Sequence, residues 1–337
     1  MVRASIIVPI YNVQNLLKRS MNSILNQDYN DYEVIIINDG STDDSLKIAK
    51  ELVQHDNRFK VYTTVNQGLA AARNEGLKYV QGDITYFMDA DDQLAPNFLS
   101  IMINYFDKHP EVEIIHFTYS AILHPMNSIN NSKLIDSKTW ENIKTLHELM
   151  DTKLQPTAWS YISRSNLIKD NNLSFSKGRL FEDENFNAKL IVCAKKVAIL
   201  SFDQGPYYYL IENRPGKLMT DILYHHNIKQ LQDRIFITDD EYKYLKKHSV
   251  LEKEYLKSWY LYKLIWIYNE YYDLHKVSPR EFETIKKNII EIYNENDSLL
   301  SNRQKLQYLK VINPVIYYSL NQLKKIVNIF RKKSSKI

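Results

Sequence analysis

Apolar and polar positions along the first hundred residues alternate between two periods. ASIIVPI (4–10) and YEVIIIN (32–38) are short continuous apolar runs, the pattern of strands buried on both faces. KVYTTV (60–65) and GDITYFMD (82–89) give a third and a fourth strand. The intervening stretches carry helical spacing. Leu16, Leu17, Ser20, Met21, Ile24 and Leu25 share one face of a helix that Asn12 can cap. GSTDDS opens a second helix, with Ser41 or Thr42 as N-cap and acids in its first turn. GLAAARNEGLKYV (68–80) reads as a third, and Pro96 suits the first turn of a fourth carrying Phe98, Leu99, Met102, Ile103 and Phe106.

Strands alternating with helices at this spacing predict an α/β fold, a mainly parallel sheet with right-handed crossovers. The strand ends at Pro9–Asn12, Asn38–Ser41 and Asp89–Asp92 then line one edge, where open α/β sheets bind ligands. Beyond residue 110 the pattern loosens. EVEIIHFTYSAI (111–122) reads as a strand, SKTWENIKTLHELM (137–150) as a helix, and AWSYISRSNLI (158–168) as a strand leading into a helix. FEDENFNAKLIVCA (181–194) is a helix opened by acids, and QGPYYYLIENRPG (204–216) a strand running into a loop. From about 224 the chain turns helical and rich in Tyr, Lys, Leu and Ile. The expected division is 1–222, an α/β domain, and 223–337, a helical region. No internal repeat and no Gly/Ser linker separates them.

The length of 337 residues fits one large domain or two ordinary ones, and 44% hydrophobic and 25% charged residues are globular proportions. A net charge of +4 is too small to argue for nucleic acid unless clustered. Cys193 is the single cysteine, so no intrachain disulfide forms, which points to a reduced, cytoplasmic setting; its apolar context reads as packing. VRASIIVPIYN has too short an apolar core and lacks the cleavage site of a signal peptide, and no run reaches the ~18 apolar residues of a membrane span.

FMDADD ends a strand with Asp89, Asp91 and Asp92. Two such charges at ~4 Å repel by about 1 kcal/mol in water and about 4 kcal/mol at an effective dielectric near 20. A hard divalent cation would offset that repulsion and leave ligand positions open for phosphates. The alternative is a helix N-cap cluster at Asp91 or Asp92. Asp39, in INDGSTD, can accept from the imide N–H of a uracil or thymine, or serve as a turn residue. Tyr11 follows Pro9 at the end of the first strand and can stack on a base. Arg73, in NQGLAAARN, suits a phosphate or ribose, or a helix surface.

Together IIVPIYN, IINDGSTD, NQGLAAARN and FMDADD, in this order and spacing, resemble the inverting glycosyltransferase family 2. The resemblance spans about 4–220 and is most specific over 4–96. It implies the Rossmann-like GT-A fold, a nucleotide-sugar donor held at Pro9, Tyr11, Asp39, Arg73 and Asp89, and Mn²⁺ or Mg²⁺ on Asp89 and Asp91. Asn38 replaces an Asp common in the family. AWSYISRSNLI followed by LFEDENF resembles the acceptor segment, which implies Asp183 as catalytic base beside Glu182. Without the family, Glu182-Asp183-Glu184 reads as an acidic first helical turn. Trp159 either stacks on an acceptor sugar or packs in the core. PYYYLIENRPGKLM resembles the family's donor-closing loop, in which Arg214 fits a diphosphate contact; Leu210 stands where Arg is frequent, and Lys217, where Ser is usual, either adds a charge against phosphate or makes the loop bind differently. His225 and His226 offer a third metal ligand or an ordinary surface pair.

Near the C-terminus Ile316, Leu320, Leu323, Val327 and Phe330 form one apolar face beside Lys324, Lys325, Arg331, Lys332, Lys333 and Lys336. This basic amphipathic end, 315–337, reads as a peripheral anchor on the inner membrane face or as a solvated tail after a packing or oligomerising helix. The resulting expectation is a metal-dependent inverting transferase, moving a sugar from a donor, UDP-linked by family habit, to a hydroxyl of a glycan or lipid-linked oligosaccharide in bacterial surface-polysaccharide synthesis. A nucleotidyltransferase would want glycines after the first strand, which PIYNVQNLLKR lacks. The remaining alternative is a non-catalytic partner subunit that binds a nucleotide sugar.

Overall fold

The computed structural model describes residues 2–211, 228–248, 250–272, 279–294 and 302–313. Chain contacts divide it into two compact units, Met1–Thr220 and Asp221–Ile337.

The first unit is built on an eight-stranded sheet in the order β3-β2-β1-β4-β9-β6-β10-β8. β1 (Ala4–Ile10), β2 (Tyr32–Asp39), β3 (Phe59–Thr64) and β4 (Ile84–Phe87) run parallel. β9 (Tyr161–Arg164) is antiparallel to both its neighbours, β4 and β6 (Ile114–Phe117). β10 (Lys196–Phe202) returns parallel to β6, and β8 (Leu134–Glu141) closes the edge antiparallel to β10. A second sheet of three strands sets β11 (Tyr207–Leu210) between β5 (Gln93–Leu94) and β7 (Ser120–Ile122).

Every residue of β1 and β2 is buried, because helices cover both faces of the sheet. Ile6, Val8 and Ile10 pack with Leu17, Met21 and Ile24 of α1 (Gln14–Leu25), Ala49 and Val53 of α2 (Ser45–Val53), and Phe98, Met102 and Phe106 of α4 (Phe98–Lys108). Ile7 points the other way, to α3 (Leu69–Leu77), where it lies so close that a Cβ on Gly76 would meet its Cγ2 at 2.4 Å. α5 (Asn142–Met150), α6 (Ser165–Asp170) and α7 (Glu182–Cys193) complete the unit.

Several expected boundaries shift for identifiable reasons. The 111–122 strand breaks into β6 and β7, which belong to different sheets. Residues 137–141 extend β8 rather than opening α5; as an edge strand largely exposed, β8 shows no alternation to read. β10 has no boundary signal in the sequence, because AKKVAIL follows α7 with no turn residue between them. Asn12 and Ser41 are not caps, since their side chains are used between loops, and α4 starts at Phe98 with Asn97, not Pro96, at its boundary.

The second unit is helical: α8 (Ile228–His248), α9 (Lys253–Tyr272), α10 (Pro279–Asn294) and α11 (Asn302–Ile312). α9 is apolar around much of its circumference and is correspondingly the buried element. Its Leu261, Leu264, Ile265, Ile267, Tyr268 and Tyr271 pack with Leu231, Ile285, Ile289, Tyr308 and Val311 from the other three. No described helix is long and apolar enough to cross a membrane. The amphipathic end at 315–337 lies outside the described residues.

Candidate active site

The site forms where β1 and β4 part. β1 pairs with β2 as far as Ile10–Asn38, but with β4 only to Ile7–Phe87. The Ile7 carbonyl accepts the Met88 N–H at 3.0 Å, so alternate residues of β1 aim their backbone groups at β4. Pro9 is the next of these and has no N–H to give, so no ladder bond is lost where β4 turns away. The chain runs from β1 outward to β3 and then back to β4 on β1's other side. The gap is thus the topological switch point, where open α/β sheets take ligands.

Two loops are laced together at its rim. The Asn12 N–H donates to Ser41 Oγ at 3.2 Å, Asn12 Oδ1 accepts the Thr42 N–H at 2.8 Å, and Val13 N–H reaches Ser45 Oγ at 2.8 Å. Asn12 holds a left-handed φ of 49° in doing so. The lacing leaves Tyr11 at the rim, 47% exposed, one residue past the Ile10–Asn38 pair.

Asp39 is buried and its carboxylate is engaged. Oδ1 accepts from Thr64 Oγ1 at 3.1 Å and the Gln67 N–H at 3.0 Å, and Oδ2 from the Gly68 N–H at 2.7 Å. Three of about four lone-pair sites are filled, so Asp39 is first a clip on the NQG loop. Glycines permit this approach. A Cβ on Gly40 would meet the Asn66 nitrogen at 2.8 Å, and Gly68 has φ 88° and ψ 167°, a region essentially closed to other residues.

Arg73 joins motifs that lie far apart in the chain. Its side chain is 2% exposed; Nη2 donates to Asp89 Oδ1 at 3.0 Å and Nη1 to Glu182 Oε1 at 2.7 Å. The guanidinium carbon lies 5.2 Å from the Phe175 ring centre, and Phe175 stacks on Phe186 of α7 at 3.9 Å. Asn74 pins that segment: its Nδ2 donates to the Phe175 carbonyl and its Oδ1 accepts the Phe175 N–H, both at 2.8 Å. Asn74 has no local signature in the sequence, because its partner is 101 residues away.

α7 begins at Glu182 behind Phe181, which holds a left-handed φ of 62°. For a bulky residue that costs on the order of 1–3 kcal/mol, strain of the kind found at functional sites. The turn sets Glu182 on Arg73 and Asp183 beside it. Burial, then Glu182, push the Asp183 carboxyl up to about 8, against the opposing pull of Arg73. Burial also raises Glu182, more than Arg73 draws it down. Burial would lower Arg73, but Asp89 and Glu182 outweigh it and raise it.

The three clustered aspartates do not share one fate. Asp89, 28% exposed, is paired with Arg73. Asp92 is 1% exposed and points inward, accepting from the Tyr207 hydroxyl and, at 2.8 Å, from the Leu210 N–H of β11. Burial, then Asp91 and Asp89, push its carboxyl well above the usual range, against the pull of the Leu210 and Tyr207 hydrogen bonds. Asp91 and Asp92 are therefore not helix caps: β5 intervenes before α4. The arginine and the burial of Asp92 already relieve much of the repulsion that a cation alone was expected to offset.

A hard cation nevertheless fits what remains. Oδ2 of Asp89 accepts no hydrogen bond among the described residues, and Asp91 is partly exposed two positions on. Oxygen donors of this kind suit Mg²⁺ or Mn²⁺. Among the described residues no group of three His, Cys, Asp or Glu could hold an ion, so water or phosphate oxygens would complete the shell.

Trp159 packs in the core. Its ring is 5% exposed and stacks on Tyr207 at 4.5 Å and on Tyr209 at 5.6 Å. That stack, rather than a sugar, accounts for the tryptophan, and the expected acceptor platform is corrected accordingly. Arg214, Lys217, His225 and His226 lie outside the described residues.

A family model described as glycosyl transferase family 2 matches residues 5–165. The chain is 31% identical over 243 residues to the uncharacterized glycosyltransferase EpsJ of Bacillus subtilis (strain 168), covering 68% of each. It is 28% identical over 260 residues to the putative glycosyltransferase EpsH of the same organism, covering 75% of this chain and 72% of EpsH. To glycosyltransferase GlyA of Streptococcus pneumoniae serotype 4 it is 28% identical over 271 residues, 76% of this chain but 37% of GlyA. Among solved structures, residues 1–349 of S. aureus TarS in complex with UDP-GlcNAc share the fold, with a TM-score of 0.73 at 20% identity, covering 94% of this chain and 89% of that one. The motif order, the GT-A architecture and these relatives together make this chain a glycosyltransferase of family 2.

Proposed function

We propose that the chain is an inverting, metal-dependent transferase that moves a sugar from a UDP-linked donor to a hydroxyl of a glycan or lipid-linked acceptor in bacterial surface-polysaccharide synthesis. The observation that carries this reading is the Asp89–Arg73–Glu182 bridge, which puts the D-x-D loop and the Asp183 turn on one guanidinium. The uracil would stack on Tyr11 and use the remaining lone pair of Asp39. Asp89 and Asp91 would hold Mn²⁺ or Mg²⁺, which when bound supplies Lewis-acid stabilisation of the diphosphate leaving group. Asp183, raised to about 8, suits a general base working near neutral pH. It would take the proton of the acceptor hydroxyl as that oxygen attacks the anomeric carbon opposite the departing diphosphate. A positioned base contributes typically ~10²–10⁴-fold. Arg214 is assigned to the diphosphate on the family resemblance, and Lys217 on its charge.

The test is nucleotide release from a panel of UDP-, GDP- and dTDP-sugars with Mn²⁺, with Mg²⁺ and with EDTA. Metal-dependent UDP release from one donor, abolished in Asp91→Asn, is the expected result. Absence of donor binding under every metal condition would sink the proposal.

A further inference from the structure

α1 is amphipathic, and its outer face is wholly polar. Leu16, Leu17, Ser20, Met21 and Ile24 are its buried positions. Asn15, Lys18, Arg19, Asn22 and Asn26 recur at helical spacing on the outer side. They form one wall of a cavity of about 620 Å³. The opposite wall is the 126–129 segment, including Asn127.

That wall is tied down by side-chain amides. Gln93 Nε2 donates to the Met126 carbonyl at 3.1 Å and Gln93 Oε1 accepts the Met126 N–H at 2.9 Å. One turn further on, Asn97 makes the same paired contact with the backbone of Ser132, at 2.8 and 2.9 Å. The cleft is thus preformed. Its volume lies in the range of ordinary small-ligand sites.

Leu94, Pro96, Met126 and Ile129 give the cleft an apolar floor, and its charge is of one sign. No acidic residue and no aromatic residue lines the cleft among the described residues. Lys18 and Arg19 are exposed and form no ion pair among the described residues. The side-chain amides of Asn15, Asn22, Asn26 and Asn127 make no hydrogen bond there either. Two uncompensated cations amid unengaged amides fit an anionic, hydroxyl-rich chain, which the amides would meet as donors and acceptors. With no ring to stack on, recognition would rest on charge and hydrogen bonds.

The cleft's lining adjoins the active-site loops along the chain. Asn15 lies three residues beyond Asn12 of the laced rim, and Gln93 two beyond Asp91. We propose that the α1 cleft is an acceptor subsite, holding a stretch of anionic, hydroxyl-rich polymer, polyol phosphate or acidic polysaccharide, away from the reacting end. The proposal rests on the transferase reading above, whose acceptor it specifies.

The test uses the full chain, titrated with a polyol-phosphate oligomer, a hexuronate oligomer and a neutral oligosaccharide of matched length, at low and high salt. Lys18→Ala/Arg19→Ala is the variant, both positions being exposed. Expected is binding of one anionic oligomer, weakened about tenfold in the double variant and weakened by salt, with the neutral oligomer bound more weakly. Which oligomer binds identifies the source of the charge. Equal affinity in wild type and variant, equal affinity for the neutral oligomer, or no oligomer binding would overturn the proposal. Donor hydrolysis is followed in parallel. If it persists in both proteins while oligomer binding fails, the cleft assignment alone falls. If wild type shows no donor turnover, it is the transferase reading that fails.

Discussion

Asp183→Asn removes the proposed base and also removes a charge that the fold opposes, so it should trade activity for stability. An unfolded Asp ionises near pH ~3.9, whereas Asp183 is pushed up to about 8 in the folded chain. Below ~3.9 both states carry the proton and the group is neutral in its effect. Between the two values the folded chain holds a proton that the unfolded chain has released, so stability falls as pH rises. Each unit is worth ~1.36 kcal/mol, and at pH 7 the three units between amount to at most ~4 kcal/mol. Partial exposure of the side chain and solvent screening reduce this to an expected ~2–3 kcal/mol. Asparagine carries no charge at any of these pH values. Urea unfolding of both proteins at pH 5, 6, 7 and 8 should therefore show the variant gaining over wild type as pH rises, while sugar transfer is lost. A stability difference that stays flat across the series, or reverses, would refute the reasoning.

Further substitutions probe the bridge and its supports. Arg73→Met leaves Glu182 buried without its partner and should cost ~3–5 kcal/mol; in a Glu182→Gln background the same change should cost markedly less, measured as a double-mutant cycle in urea. Asp92→Asn, which keeps an oxygen for the Leu210 N–H and removes a charge that burial disfavours, should fall within ~1 kcal/mol of wild type, whereas Asp92→Leu strands that N–H and the Tyr207 hydroxyl and should cost ~2–3 kcal/mol by thermal unfolding. Asp39→Ala frees the NQG loop from three hydrogen bonds and should lower stability by ~2–3 kcal/mol and weaken UDP binding in calorimetry.

How much of this was legible depended on whether the deciding partner was local. β1 and β2 announce themselves because burial on both faces leaves an uninterrupted apolar run. The strand ends, and with them Tyr11, Asp39 and Asp89, follow from that alternation and from the family motifs. β8 did not, because an exposed edge strand carries no periodic signal, and β10 merges with the end of α7 in sequence. Asn12 and Ser41 look like caps, yet tertiary contact takes both. The Arg73–Glu182 pair spans 109 residues and the Asp92–Tyr207 pair 115, so neither has a local signature. Trp159 shows the converse: an aromatic beside the acceptor segment invites a sugar-binding role, and only its stacking on β11 shows where it is used.

The fate of the three aspartates also separates metal binding from folding. If the cation were what made their clustering tolerable, stripping it would destabilise the fold, as it does in structural metal sites. Here Arg73 pairs with Asp89, and the Tyr207 hydroxyl and Leu210 N–H take up Asp92, so the fold should not need the ion. EDTA alone should leave the melting temperature of the apo protein unchanged, and Mn²⁺ alone should shift it little, because two aspartates without phosphate oxygens make a weak site. Mn²⁺ with UDP should raise it, through a gain of ~2.7 kcal/mol in unfolding free energy at a hundredfold excess over Kd, and Asp91→Asn should cancel that gain without lowering the melting temperature in EDTA. A drop of several degrees on adding EDTA to the nucleotide-free protein would mean that the ion is structural, and that Arg73 does not relieve the cluster as its contacts indicate.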